Sequence, residues 1–155
     1  MSVTLNRIGE GIPTWYRDAG TNDSDKTYTV PANHTWLLGS VYAEIATTAD
    51  VGNRLLNISI TDGTNVIYRS QSTAAIAASK KGTLYSTNTG GASDTTARLI
   101  LAGTATADVS LNLYDLPREM YLPPGCVITI KDTAAVAAAA DDMIVVLYYI
   151  DFPMR

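Results

Sequence analysis

Histidine, cysteine and phenylalanine each occur once in this 155-residue chain. A single cysteine, Cys126, permits no internal disulfide and no thiolate cluster. A single histidine, His34, cannot supply the His-rich ligand set of a cupin-type metal centre. Charge is scarce as well: Asp, Glu, Lys and Arg make up 17% of the residues, below the roughly 25% of an average soluble chain. The net charge is −4 and the only adjacent basic pair is Lys80-Lys81, so no Lys/Arg stripe marks a nucleic-acid or anionic-membrane partner. Long apolar runs are missing too. The nearest approach is "DTAAVAAAADDMIVVLYYIDF", residues 132–152, and Asp141 with Asp142 would put two carboxylates inside a bilayer span. Its alanine run is too short for a stable helix, and the two aspartates at its C-terminal end would oppose the macrodipole, so it reads as a loop leading into a strand.

The scarcities also bear on catalysis. His34 lies in "VPANHTW", a turn running into a strand, and reads as a hydrogen-bonding turn residue rather than a triad member. Cys126 falls on an alternating apolar face and reads as a small buried hydrophobe. Asp23 and Asp25 in "TNDSDKT" have some of the spacing of a calcium loop but lack its glycine and terminal glutamate. Asp141 and Asp142 read as turn and capping residues. "GEG" at 9–11 is followed by Pro13 and no helix, so no phosphate cradle forms. Glycosylation-type triplets at Asn22, Asn33 and Asn57 are what a Ser/Thr/Asn-rich chain produces by chance. No catalytic residue, cofactor site or metal site is expected.

What is present is strand pattern. From Tyr28 onward, short β-branched and aromatic segments alternate with Gly, Pro, Asn and Asp every 8 to 12 residues or so. "RLLNISITD" turns Leu56, Ile58 and Ile60 inward, and Asp62-Gly63 opens a hairpin into "NVIYRS". Shorter strands are expected at "STAAIAAS", "TLYST", "ARLILAG" and "VSLNLY", with "NTGGASDTT" as an exposed tip. "LPPG" supplies a type II turn before "CVITIKD", which places Cys126, Ile128 and Ile130 on one face. In "TWLLGSVYAEI", Leu37, Gly39, Val41, Ala43 and Ile45 form the expected core set, leaving Trp36, Leu38 and Tyr42 as an outward aromatic stripe. Met143 to Ile150 is apolar on both faces. Met143, Val145, Leu147 and Tyr149 lie on one side, with Ile144, Val146, Tyr148 and Ile150 on the other, so a second layer or subunit should cover it.

The expected fold is all-β: an antiparallel, jelly-roll-like β-sandwich of eight to ten strands over residues 27–155, preceded by an extended N-terminal arm at 1–26. The arm carries Ile12, Trp15 and Tyr16, aromatic and aliphatic groups that suit docking. With Trp36, Leu38, Tyr42, Tyr148 and Ile150, they are the candidate interface residues. Charge-depleted strand faces bearing Trp and Tyr resemble interface cores more than solvated surface.

"VPANHTWLLGSVYAEIATTADVGNRLLNISITDG" and "LPPGCVITIKDTAAVAAAADDMIVVLYYID" resemble the jelly-roll head decoration (cement) proteins of tailed bacteriophages. The likeness lies in Val-Pro-Ala-Asn at 30–33, Gly-Asn-Arg at 52–54, the Pro-Gly turn and the Asp-Asp-Met opening of the last strand, spanning Tyr28 to Asp151. It implies a structural virion protein, trimeric, seated on the outer capsid surface and clamping the major capsid protein. Such a chain would be made in the host bacterial cytoplasm, which fits an N-terminal "MSVTLNRIGEG" without an apolar export core. A neck, tail or fibre component, or a carbohydrate-binding jelly-roll module, are the alternatives.

Overall fold

In the computed structural model, residues 11–20, 25–71, 75–87, 109–117, 119–132 and 141–154 are described. Among them the chain forms ten strands and no helix. β1 (Ile12–Asp18), β3 (His34–Ala46), β6 (Lys81–Thr87), β7 (Val109–Asp115), β8 (Met120–Leu122) and β10 (Asp142–Pro153) make a six-stranded sheet, ordered β1-β10-β3-β6-β7 with β8 also on β3. β2 (Asp25–Thr29), β9 (Val127–Asp132), β4 (Leu56–Thr61) and β5 (Val66–Gln71) make a four-stranded sheet ordered β2-β9-β4-β5.

This order is a long hairpin rolled on itself. β1 pairs with β10, β2 with β9, β3 with β6 and β4 with β5; rolling then adds β10 against β3 and β9 against β4. The result is the jelly-roll sandwich expected from the strand pattern. One pair departs from an antiparallel plan, since β6 and β7 run parallel. Of "STAAIAAS", residues 75–79 are described, and among them Ile76 forms an isolated bridge with Arg54 in place of a strand. "ARLILAG", the "NTGGASDTT" tip and the alanine run lie outside the described residues.

The core forms where the two sheets face each other. Val41, Ala43 and Ile45 of β3 and Met143, Val145 and Leu147 of β10 meet Leu56, Ile58 and Ile60 of β4 and Ile128 and Ile130 of β9, all fully buried. Each of these side chains larger than alanine stabilises the fold by roughly 1.5–3 kcal/mol. The β8–β9 connection is the type II turn read from "LPPG": the Cys126 amide donates to the Pro123 carbonyl at 3.2 Å, and Gly125 takes φ +83°. At the β4–β5 hairpin, Gly63 takes φ +98° and the Asp62 carboxylate accepts from the Thr64 and Asn65 amides.

Two expectations change. The first concerns the arm. Residues 12–18 are not a separate segment but the edge strand β1, paired residue for residue with β10 from Ile12↔Asp151 to Asp18↔Val145. The boundary at Lys26 falls inside β2. Trp15 and Tyr16 lie in an aromatic-rich strand that completes the sheet by covering the edge of β10.

The second concerns β3. Tyr148 pairs with Ser40 and Tyr149 with Leu38, leaving Gly39 as an extra, unpaired residue. A bulge of this kind reverses the inward and outward alternation. Before it Trp36 and Leu38 point inward; after it Val41, Ala43 and Ile45 do. Trp36 and Leu38 are therefore core residues, with Trp36 stacked on Tyr149 at 4.2 Å, and not interface residues. Glycine is required at the bulge because a Cβ there would lie 2.6 Å from the Tyr148 ring.

Candidate functional site: the outer face of the six-stranded sheet

Strand register assembles the outer face row by row. One row runs Trp15, Tyr148, Ser40 across β1, β10 and β3; the next runs Arg17, Val146, Tyr42, Tyr85 and extends onto β6. On the other side Pro13, Ile150, Leu37 and Tyr121 form a row through β8. Trp15 is 69% exposed and rests on the Tyr148 ring at 4.4 Å, so its indole is held in place while its outer surface stays open. Tyr121, also exposed, approaches Phe152 at 6.2 Å. Towards the start of β10, the Tyr42 hydroxyl donates to Glu44 at 2.9 Å and Lys81 reaches the same carboxylate at 3.4 Å. Burial, reinforced by the Glu44 charge, pushes the Tyr42 phenol well above its ordinary value.

The opposite outer face differs in kind. Across β2, β9, β4 and β5 its central row is Thr27, Thr129, Ser59, Arg69, flanked by Asp25, Lys131, Asn57, Gln71. A hydroxyl- and amide-rich face is suited to water, whereas the aromatic and aliphatic face of the six-stranded sheet is suited to contact.

Of the eight candidate interface residues, the fold brings Trp15, Tyr42, Tyr148 and Ile150 together on this face. Tyr16 sits on the inner side of the same edge, edge-on to Tyr28 at 5.4 Å. Ile12 is exposed at the start of β1. Beside Tyr16, Asp18 accepts from the Gly20 amide at 3.0 Å and from buried Lys26 at 3.0 Å. The Gly20 hydrogen bond foremost, with Lys26 and Tyr28, outweighs burial and holds the Asp18 carboxyl below its usual range. These contacts tie β1 to β2, in addition to the ladder that pairs it with β10.

No group of three or more His, Cys, Asp or Glu that could hold a metal ion occurs among the described residues. Asp25 is exposed at the start of β2, and Asp23 lies outside the described residues. His34 faces Asp151, with Nδ1 2.9 Å and 3.0 Å from its two oxygens, and joins the β3 and β10 ends. Cys126 is buried, and burial, with the Asp62 charge, pushes its thiol up. It should stay unlabelled by a maleimide in the native state and label stoichiometrically in guanidinium; rapid native labelling would contradict its buried placement.

Sequence reasoning missed the most connected polar residues. Arg54 and Asp141 are both fully buried, with Nε 2.8 Å from Oδ2 and Nη2 3.1 Å from Oδ1. Nη2 also donates to the Thr48 hydroxyl at 3.1 Å, and Nη1 donates to the Asp50 and Gly52 carbonyls at 2.8 and 2.9 Å. The Thr48 amide and hydroxyl complete the carboxylate at 2.7 and 3.0 Å. Burial alone would raise the Asp141 carboxyl, but the hydrogen bonds from Arg54 and Thr48 outweigh it and hold the group below the ordinary range. Gly-Asn-Arg at 52–54 and Asp-Asp-Met at 141–143 stand far apart in the sequence, and only the fold joins them.

No protein-family model and no curated protein matches the chain. Among solved structures, a chain of dimeric latent PorU from Porphyromonas gingivalis is similar over 98% of this chain, at 9% identity and TM-score 0.42; the match spans 14% of the PorU chain. A chain from Bacillus endospore appendages, which form disulfide-linked pili, is similar over the full length of both chains at 10% identity and TM-score 0.29. Neither likeness is strong enough to carry fold or function across.

Proposed function

We propose that this chain is a structural virion protein, a decoration (cement) protein that binds the outside of an assembled bacteriophage head and stabilises contacts between major capsid proteins. The observation that carries the contact role is the outer face of the six-stranded sheet, where Trp15 lies open on Tyr148 beside Tyr42, Val146 and Ile150. The capsid assignment rests on the sequence resemblance over Tyr28 to Asp151. In this reading the aromatic face is buried between copies in a homo-oligomer, expected to be a trimer, and the protein works without cofactor or catalysis. It is made in the host cytoplasm and ends on the outer capsid surface.

Mixing the purified protein with undecorated shells, then sedimenting and heating them, tests the capsid role: bound protein and a higher shell disruption temperature are expected. Light scattering tests the oligomer, whose melting temperature should rise with concentration. Trp15→Ala should weaken self-association by about 2 kcal/mol or more, as an anchor residue does. A monomer at micromolar concentration with a concentration-independent melt would reject the oligomer, and absence of shell binding would reject decoration. A second reading is favoured by one feature, the exposed Trp15 indole, which is the kind of platform on which a sugar ring stacks. Glycan binding lost in Trp15→Ala with the oligomer unchanged would select a carbohydrate-binding role instead.

A further inference from the structure

Charge is divided unevenly across the outer face of the six-stranded sheet. Arg17 stands at one margin, exposed on β1 two residues from Trp15, and makes no hydrogen bond or ion pair among the described residues. The carboxylates lie elsewhere: Glu44 on β3 pairs with Ile144, and Asp142 stands opposite Ala46 in the row beyond. One ammonium meets them, that of Lys81, whose side chain is 60% exposed and reaches Glu44 at 3.4 Å, so this corner keeps a net negative charge. Arg17 does not cancel it within its own chain. Arg17 and Glu44 are separated by β10 and offset by one pleat, which at ordinary sheet spacings puts their Cα atoms roughly 12 Å apart.

An exposed arginine among hydroxyls and amides, as Arg69 is on the opposite sheet, is ordinary surface. On a charge-poor face beside an open indole it has the make-up of an interface centre, where Trp, Tyr and Arg are enriched. Its planar fork of donors matches a carboxylate, and its plane stacks on a phenol ring. The face offers both at one place, because the Tyr42 hydroxyl lies 2.9 Å from the Glu44 carboxylate. We infer that a second copy of this chain covers the aromatic face in a fixed register, with Arg17 of one copy on the Glu44 carboxylate and Tyr42 ring of its neighbour and Trp15 buried alongside. Each subunit then gives one guanidinium and receives one, in the expected trimer as in any closed assembly. This rests on the reading above that the face is buried between copies, and it adds which residues meet there.

The test is cross-linking between copies. Full-length Arg17→Cys and Glu44→Cys proteins are assembled together in equal amounts, oxidised with diamide, and separated under denaturing, non-reducing conditions; Cys126 is buried in the native protein and is blocked with a maleimide on unfolding. The mixture should give a covalent dimer, and neither variant alone should do so. The double variant should give covalent species up to the size that light scattering finds for wild type. A bridge within one chain is excluded, since the Cα atoms of a disulfide lie within about 7 Å of each other. Independently, wild-type assembly should weaken as salt rises, whereas Arg17→Met, which keeps the apolar stem, should assemble about tenfold more weakly at low salt and lose most of that salt dependence. If wild type is oligomeric but the mixture does not cross-link, or Arg17→Met keeps the affinity and salt dependence of wild type, the contact is rejected and the oligomer stands. Self-linking by Arg17→Cys alone would set the copies in another register and reject it equally. A monomeric wild type removes both the contact and the reading beneath it.

Discussion

Arg54→Ala should lower the free energy of unfolding by about 3–5 kcal/mol, because it strands the Asp141 carboxylate in a fully buried position without its cation. In a domain of this size that is a fall on the order of 10 °C in melting temperature. Asp141→Ala should cost a similar amount for the mirror reason, and it also removes the acceptor of the Thr48 amide. The two effects should not add. Once one partner is gone the other is already unpaired, so the double replacement Arg54→Met with Asp141→Leu should lose much less than the sum of the singles. Differential scanning calorimetry on the four proteins tests both statements. A single Arg54→Ala variant within 1 kcal/mol of wild type would mean that water or a rearranged loop satisfies Asp141, and that the network is not the fixed structure described above.

The same pair sets a pH signature. The Asp141 carboxyl is depressed in the folded state, so the unfolded chain binds the proton more readily. Its contribution is therefore fully present above the unfolded carboxylate value of about 3.9 and is lost as pH falls through the depressed folded value. Asp18, lowered chiefly by the Gly20 amide, acts in the same direction. Wild-type stability should fall steeply below about pH 4, and the Arg54→Met, Asp141→Leu protein should show a shallower fall over that window.

The sandwich was legible in the sequence because strand alternation and turn chemistry are local. Leu56, Ile58 and Ile60 alternate without interruption, and the Pro-Gly and Asp-Gly turns carry their own conformational reasons. Where alternation failed, one residue was responsible. Gly39 sits in a run that reads as unbroken alternation, and nothing local announces that Tyr148 will cover it so closely that only a hydrogen fits. Unbroken alternation places Trp36 and Leu38 on the surface, while the bulge turns both inward and stacks Trp36 on Tyr149. The interface group was legible in part for a related reason. Tyr148 and Ile150 could be placed by period two within their own strand, but their meeting with Trp15 depends on β1 pairing with β10 across most of the chain. Arg54 and Asp141 were illegible as a pair because 87 residues separate them and neither lies in a periodic pattern.

Deleting residues 1–20 should destabilise the domain and make it self-associate, the opposite of what a dispensable arm would do. The deletion removes all of β1 and leaves β2 intact. It uncovers the β10 edge from Val145 to Asp151, a row of backbone donors and acceptors flanked by Ile144, Val146, Tyr148 and Ile150. It also strips the Trp15 ring from Tyr148 and the Tyr16 ring from Tyr28, each aromatic pair contributing roughly 0.5–1.5 kcal/mol beyond its buried area. Buried Lys26 loses the Asp18 carboxylate, which adds roughly 1–3 kcal/mol for an impaired buried donor. Together these come to at least about 2 kcal/mol, before any cost of solvating the exposed sheet edge. An open, apolar edge strand is a template for pairing with another chain, so sedimentation velocity should show polydisperse species absent from wild type. A synthetic peptide of residues 11–20, added in excess, should re-form the ladder on β10, raise the melting temperature and suppress those species, as strand addition does elsewhere. A truncated protein that melts within 1 kcal/mol of wild type and keeps its native oligomeric state would show that β1 is docked on the sheet without being part of the fold, and would restore residues 12–18 to the role of a separable arm.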